Sequence, residues 1–509
     1  MNPSVDTHLD AQFSKVLAMT RRALEFDGRD IRGHLFRAGL PLLFLMTVVH
    51  ITTRGSLVTA PGHELFQFLI WYDYIFITFA AATFFATAIT EEREEQTLGL
   101  LKLAGAGSLT ILLGKWLPRM IAAILLLLVQ IPLALLCITL GGLLPSQIVG
   151  AFACIAGHLV FMAGIAVLCS VCSRSSSAAC GWTIGWIVTL HFAAWLLHSS
   201  PIALPAAIRD AAQLVGAFRL LTILSSGFNG PMLSLQVVLN VLAGFGFLLL
   251  SWSLFDALTT KDLPVVTQGR RSWRFWGIPG GRRPWGWQPQ IWYGVFYEAG
   301  GPSLLIIRMM FHVTGSVLLC YLTSGFIGNS RLGSTLIGWG MAAIVFEGAF
   351  TAGQIFRREI ANQTWSTLSM LPHTVTEILF PRVLGSTLTM LPGTFCILLG
   401  LLIWPTDLLN SIGEDEFWIL LTYFTGLVLL GWQLIMLFSV SIEWSAWPIS
   451  ILFAAMVLTG LGFCTFGILA PSPSGGGKEI VCGLGLMMWC TPVVMYLLIN
   501  SRLERKMGD

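Results

Sequence analysis

Long runs of apolar residues alternate with short polar segments along the whole chain. Each run is roughly 20 residues long, the length that a helix needs to cross the hydrocarbon core of a bilayer. Because lipid offers no partner to backbone N–H and C=O groups, we expect these runs to be helices. The pattern predicts an all-α, polytopic membrane protein with about twelve transmembrane helices. They lie near residues 36–53, 66–90, 113–140, 148–172, 179–198, 235–258, 303–326, 338–356, 384–404, 417–440, 448–470 and 480–500.

One long polar stretch, residues 260–290, divides the chain into two predicted six-span halves. It is rich in Gly, Pro, Arg and Trp. We interpret it as a linker that contacts membrane lipids rather than nucleic acid, because both of its ends are tethered to the membrane. The predicted parts are a cytosolic amphipathic N-terminal segment, the first half, the linker, the second half and a cytosolic tail. Their boundaries are 1–35, 36–258, 259–302, 303–500 and 501–509.

Charge sets the expected orientation. Only 11% of the residues are charged, whereas soluble domains average about 25%. Most of the 29 Lys and Arg residues fall before the first predicted span, after the even-numbered spans or in the linker. Since cytosolic loops carry the excess of Lys and Arg, we expect both termini and the segment around residues 91–97 to face the cytosol.

Two cytosolic segments resemble each other when the sequence is aligned with itself so that Glu92 lies on Glu359. We call this gapless alignment the repeat register. Both segments follow the second predicted span of their half. Because each half has an even number of spans, the repeat is expected to be parallel rather than inverted. The repeat register also places Gln96 on Gln363, Thr97 on Thr364, Leu101 on Leu368 and Lys115 on Arg382.

The first copy begins with four glutamates in five positions, "EEREE" at 91–95. Carboxylates are favourable at a helix N-terminus, so we predict a short helix over 92–103. It would carry acids at one end and Leu100 and Leu103 on one face, a surface suited to docking a partner. The alternative interpretation is a charged loop that is merely solvated.

The two copies, "EREEQTLGLLKLAG...ILLGK" and "EIANQTWSTLSMLP...ILFPR", resemble the permease subunits of type-2 ATP-binding cassette transporters. Each has an acid-rich E-x-x-x-[GQ]-T segment, a leucine-bearing stretch and a basic residue that opens the third span. The topology of both halves resembles that family, but the specific residues are confined to these segments. The second copy departs from the first by keeping one glutamate, after Arg357 and Arg358.

The resemblance implies a permease in the cytoplasmic (inner) membrane, with two permease halves fused in one chain. It would export substrate by alternating access, driven by two copies of a separate soluble nucleotide-binding ATPase subunit. ATP and Mg²⁺ would bind to that subunit, and we expect no enzyme activity or cofactor in this chain, which lacks the G-x-x-x-x-G-K-[ST] phosphate loop. The residues implied in coupling are Glu92, Gln96, Thr97, Leu101, Glu359, Gln363, Thr364 and Leu368.

Two acids lie inside predicted spans, Asp73 in "WYDYIF" and Glu347 in "VFEGAF". Intramembrane carboxylates are costly and often functional, so either could line a translocation path. Together they support the alternative function, a proton- or cation-coupled secondary transporter. The other interpretation is a carboxylate paired with a donor on a neighbouring span.

A membrane enzyme ranks last, because no catalytic constellation accompanies the remaining acids. We expect no metal site, since the CxxC of Cys169 and Cys172 has no second pair of ligands. Gly181 and Gly185 form a GxxxG pattern, which is typical of close helix packing.

Overall fold

The computed structural model describes most of the chain outside the linker and the C-terminal region. The described residues are 3–27, 41, 44–45, 47–48, 60–199, 211–225, 228, 230–259, 291, 301–324, 329–355, 375–403, 415–441, 487–491 and 493–502. Nearly all of these residues are helical and none lies in a strand, which confirms the all-α prediction for this part of the chain.

The chain separates into two compact units. One comprises Met1–Ser199 and Leu204–Gln268, and the other comprises Ser200–Ala203 and Gly269–Asp509. In the first unit the α-helices are α1 (Pro3–Asp27), α2 (Pro61–Ala80), α3 (Thr90–Glu94), α4 (Leu98–Leu103), α5 (Ser108–Val129), α6 (Ile131–Thr139), α7 (Pro145–Cys172), α8 (Ser176–Ser199), α9 (Gly216–Ile223) and α10 (Leu235–Thr259). In the second unit they include α11 (Gly301–Ser324), α12 (Asn329–Gln354), α13 (Val375–Thr387), α14 (Leu391–Ile403) and α15 (Asp415–Ser441).

Six helical stretches of the described chain are long and apolar enough to cross a membrane. They are Pro61–Glu94, Ser108–Thr139, Pro145–Cys172, Leu235–Thr259, Arg331–Gly353 and Phe380–Ile403. Leu305–Tyr321 and Thr425–Val440 are shorter apolar helices. The predicted spans at 36–53 and 448–470 fall largely outside the described residues, as does the first part of the span at 480–500. The number twelve and the placement of the termini therefore stay predictions.

The repeat register also relates helix starts in the two units. It carries Ser108, where α5 begins, onto Val375, where α13 begins. It carries Pro61, the start of α2, to the position just before Asn329, the start of α12. Corresponding segments of the two units thus share helix boundaries well beyond the residues that match in sequence.

α2 passes into a π-helical turn, Ala81–Phe85, before the glutamate-rich segment. The hydroxyls of Thr83 and Thr87 donate to carbonyl oxygens one turn earlier, and the Arg119 guanidinium donates to the Phe84 carbonyl. Side chains inserted into the backbone ladder in this way distort a helix. The distortion lies where α2 meets the predicted cytosolic surface.

Glycines bring α7 and α10 into close contact. A Cβ atom added to Gly164 would lie 2.9 Å from the Gly244 Cα, and one added to Gly244 would lie 2.9 Å from the Phe161 nitrogen. By contrast, a Cβ at Gly181 or Gly185 meets no atom within 4 Å in the described chain. The close packing that we predicted for Gly181 and Gly185 is therefore not found in the described chain, and it occurs instead at Gly164 and Gly244.

Replacing Gly164 by leucine is expected to lower the free energy of unfolding by about 3 kcal/mol. The new side chain would meet the backbone of α10, which cannot move aside as a flexible side chain can. Thermal unfolding of the detergent-purified protein, followed by tryptophan fluorescence, measures the effect. Gly181→Leu is the matched control, with the same change of residue in an open position, and should unfold near the wild-type temperature. Equal losses in the two variants would contradict this packing.

Candidate functional site

The glutamate-rich segment folds as two short helices, α3 and α4, so the prediction of one helix over 92–103 was wrong. Gln96 separates them with a φ of 58°, in the left-handed region that residues other than glycine seldom adopt. The Thr97 N–H donates to the Glu92 carbonyl over 2.9 Å, and the Leu101 N–H restarts the helix by donating to the Thr97 carbonyl over 3.0 Å. We call residues 90–105 the hub segment, because it contacts five other helices.

Glu92 is an internal anchor of the hub segment. Its side chain is only 11% exposed and forms an ion pair with Lys115 of α5, whose side chain is 30% exposed. The Thr97 hydroxyl donates to the same carboxylate. Two of the residues predicted to contact a partner, Glu92 and Thr97, therefore contact each other and hold the turn between α3 and α4.

Glu91 makes the second bond to α5. Its carboxylate lies 2.8 Å from the Arg119 guanidinium, which also donates to the Phe84 carbonyl. Lys115 and Arg119 are four residues apart and therefore lie on one face of α5. This spacing was a signal in the sequence that could have identified them as partners of two adjacent glutamates.

Arg93 and Glu94 join the hub segment to the predicted cytosolic ends of α7 and α8. The Arg93 guanidinium donates to the Ser173 carbonyl, just after α7 ends. The Ser176 backbone N–H donates to Glu94 Oε1 over 2.7 Å, and the Ser176 hydroxyl donates to Glu94 Oε2 over 2.8 Å. Glu94 thus caps the N-terminus of α8, where a carboxylate is favoured by the exposed backbone N–H groups.

Two lysines complete these connections. Lys102 of α4 donates to the Thr259 hydroxyl over 2.7 Å and lies 4.0 Å from the Asp256 carboxylate, both on α10. Lys15 of α1 donates to the Gly105 carbonyl over 2.8 Å. The hub segment is therefore connected to α1, α5, α7, α8 and α10 by charged side chains.

The outer side of the hub segment is apolar. Leu100 is 65% exposed and Leu103 is 85% exposed, whereas Leu98 is buried. Leu101 is half-buried, while Glu95 and Gln96 are exposed. The exposed residues of the hub segment thus include Leu100, Leu103, Glu95 and Gln96, whereas Glu92 of the glutamate cluster is buried.

The second copy of the segment is represented in the described chain by the basic residue that follows it. Glu359, Gln363, Thr364 and Leu368 lie outside the described residues, so their predicted role stays a prediction. Arg382, which the repeat register aligns with Lys115, is described and is only 2% exposed. A basic residue thus follows this segment in each unit. It is half-buried in the first unit and buried in the second.

Reversing one charge of the Glu92–Lys115 pair is expected to destabilise the first unit. Lys115→Glu places two carboxylates together in a half-buried site and should cost about 2 kcal/mol of unfolding free energy. The double variant Glu92→Lys, Lys115→Glu restores opposite charges and should recover most of the loss. Thermal unfolding of the wild type, Lys115→Glu, Glu92→Lys and the double variant measures the coupling, and a double variant no more stable than Lys115→Glu would contradict a direct pair.

The two intramembrane acids occupy different environments. Glu347 of α12 accepts from the Arg308 guanidinium and lies 3.1 Å from His312 Nε2, both on α11. The Trp339 indole N–H donates to His312 Nδ1 over 3.0 Å. Since an indole only donates, His312 Nδ1 is the acceptor of this bond, and the His312 Nε2–H donates to Glu347. Glu347 therefore accepts from both Arg308 and His312.

Asp73 of α2 has no such cation in the described chain. It is 1% exposed, and the Gln130 amide donates to its Oδ1. Gln130 lies at the break between α5 and α6, just before Pro132, which cannot donate a backbone hydrogen bond. The predicted pairing with a neighbouring span thus holds for both acids, but only Glu347 is paired with a charge.

No family model, curated protein or solved structure matches the chain. Within the described residues, no group of three or more His, Cys, Asp or Glu side chains is placed to hold a metal ion. The function therefore has to be inferred from the hub segment and the intramembrane acids.

Proposed function

We propose that this chain is the membrane permease of an ATP-driven transporter in the cytoplasmic membrane, and that it works as an exporter by alternating access. A separate ATPase subunit would bind ATP and Mg²⁺ and would dock on the hub segment. The proposal rests on the sequence resemblance, and the observation that carries it furthest is the construction of this segment. Its inner side joins five helices while its outer side exposes two large leucines.

Such a construction is suited to transmitting force. A partner that pushes on α4 displaces the Glu92–Lys115 and Glu91–Arg119 pairs, which act on α5, a helix long enough to span the membrane. Lys102 and Glu94 carry the same displacement to α10 and α8. A charged surface loop without such bonds would move independently of the spans.

The occurrence of two related segments supports two copies of the ATPase subunit. The repeat register aligns the hub segment with residues 357–372 and aligns the helices that follow, which begin at Ser108 and Val375. One chain would then present two docking segments, one for each ATPase copy. The two sites would be unequal, because the second segment keeps a single glutamate of the cluster.

Affinity purification of the tagged chain from its native membranes in mild detergent tests the proposal. The expected result is a stoichiometric soluble protein in the eluate that hydrolyses ATP. A chain that is recovered alone under the same gentle extraction, and that still transports substrate in vesicles without ATP, would contradict the permease assignment.

A proton-coupled secondary transporter is the second candidate. Asp73, a buried acid without a cation beside it in the described chain, is the observation that favours it. Glu347 weighs against it, because Arg308 already compensates its charge. Transport driven by an imposed pH gradient in the absence of ATP, and lost in Asp73→Asn, would favour this candidate over the first.

A further inference from the structure

We propose that Asp73 is a proton-binding site, in which the carboxyl group holds a proton and is neutral in the folded chain at pH 7. This inference goes beyond the proposed function and does not depend on it, because it concerns the state of one buried group whichever energy source drives transport.

The first support is the surroundings of the carboxyl group. Oδ1 accepts from the Gln130 amide, while Oδ2 is completely buried and has no hydrogen-bond partner in the described chain. A buried carboxylate with one neutral donor leaves most of its charge without compensation, which costs far more than burying the neutral acid. With Oδ1 as the accepting carbonyl oxygen, the proton lies on Oδ2.

The second support is the position of the nearby ionisable groups on α2 and on the helices that pack against it. These are His63, Glu64, Tyr72 and Tyr74 of α2, Arg119 of α5, Cys137 of α6, Cys154 and His158 of α7, His191 of α8, and Arg219 of α9, the helix whose Gly216 lies against the Tyr74 ring. The Arg219 guanidinium donates to the Pro231 carbonyl and lies over the Phe228 ring, so its contacts are with groups other than Asp73. Arg119 is bonded to Phe84 and Glu91, and it lies eleven positions, roughly 16 Å along the helix, before Gln130. It is therefore too far along α5 to neutralise Asp73.

The two histidines on α7 and α8 are also engaged elsewhere. The His158 ring stacks on the Tyr74 ring with centroids 4.4 Å apart, and its Nε2 lies 3.0 Å from the Thr78 hydroxyl. His191 Nδ1 donates to the Ile187 carbonyl over 2.7 Å, and its Nε2 shares a hydrogen bond of 2.6 Å with the Tyr74 hydroxyl. Both histidines are thus hydrogen-bonded to groups other than the Asp73 carboxyl group.

A metal cation does not fit this position as well as a proton does. Hard cations in proteins are held by several oxygen ligands, whereas the neighbour that contacts Asp73, the Gln130 amide, presents its N–H group. No group of three or more potential metal-binding side chains occurs in the described residues. A proton, unlike a metal cation, binds to a single oxygen, and Asp73 Oδ2 is available for it.

The second unit indicates that this polar pair is not needed for packing. The repeat register aligns Asp73 with Gly340 and Gln130 with Ile397. A Cβ atom added to Gly340 would lie 2.7 Å from Ile397 Cγ1, so these two residues also meet. A glycine and an isoleucine make the corresponding contact in the second unit, so two helices can meet at this position without an acid or an amide.

Infrared spectroscopy of the whole purified chain at pH 7 tests the inference. A protonated carboxyl group has a C=O stretching band that shifts when H₂O is replaced by D₂O, whereas an ionised one lacks it. We expect this band in the wild type, its loss in Asp73→Asn, and its retention in Glu347→Gln, the matched control in which the acid is ion-paired. A band unchanged by Asp73→Asn, or lost in Glu347→Gln instead, would overturn the proposal.

A stability measurement accompanies the spectra. Asn has the shape and charge of the protonated acid, so Asp73→Asn should unfold at the wild-type temperature; a marked loss would indicate an ionised carboxylate and contradict the inference. Asp73→Leu, which makes this contact apolar, is a second variant for the spectra. Neither measurement uses an ATPase or transport, so failure here would leave the proposed function standing, and the reverse also holds.

Discussion

Replacing Leu100 and Leu103 together by aspartate is expected to abolish binding of the ATPase subunit while the chain still folds. Both side chains are exposed in the isolated chain, so folding does not depend on burying them. In the assembly they would be buried against the partner, and fully burying a leucine side chain contributes about 2 kcal/mol. A loss of about 4 kcal/mol weakens the dissociation constant roughly a thousandfold.

Co-purification and ATP hydrolysis of the eluate measure this loss. Leu17→Asp on α1 is the matched control, because Leu17 is also an exposed leucine, at 51%, on an element predicted to be cytosolic. Glu95→Gln adds a second comparison at the edge of the same surface. Retained binding in the Leu100, Leu103 double variant, or equal loss in Leu17→Asp, would show that the partner does not dock on α4.

Replacing Glu347 by glutamine is expected to cost about 3 kcal/mol or more of unfolding free energy, because it leaves the Arg308 guanidinium without its anion inside a span. His312 loses its carboxylate acceptor in the same change. The unfolding transition of the detergent-purified chain, followed by tryptophan fluorescence, measures the loss.

Removing both charges distinguishes the contribution of the Arg308–Glu347 ion pair from the cost of leaving one of its charges unpaired. Buried ion pairs are often replaced by apolar residues of similar size without loss, so Arg308→Met with Glu347→Leu should be more stable than Glu347→Gln alone. If the double variant is the less stable protein and transport is also lost, the pair has a role beyond neutralising Glu347. If the double variant is more stable than Glu347→Gln, the ion pair has a structural role.

Local sequence features were sufficient to predict the helical class of the protein. The length of an apolar run and the absence of backbone partners in lipid are properties of each segment by itself. The six helices long enough to cross a membrane each overlap a predicted span. The repeat register was also visible in the sequence, and the starts of α5 and α13 coincide in it.

The contacts of the glutamates at 91–95 could be predicted only in part from the sequence. Their density indicated a special segment, and the spacing of Lys115 and Arg119 would have indicated a matching basic face on α5. The break at Gln96 was not predicted, because a left-handed residue other than glycine has little signature in sequence. Without that break, the buried and exposed sides of the segment could not be assigned.

The sequence by itself thus determined the helical class, the apolar stretches long enough to cross a membrane and the two related segments, since those properties depend on residues close together along the chain. Only the tertiary structure decided that Glu92 is bonded to Lys115, that Glu347 is bonded to Arg308, and that Asp73 has a neutral amide beside it. The energy of a buried charge depends on which group a neighbouring helix brings within a few ångströms. Arg308 is 39 residues from Glu347 and Gln130 is 57 residues from Asp73, so helix packing, rather than local pattern, sets those distances.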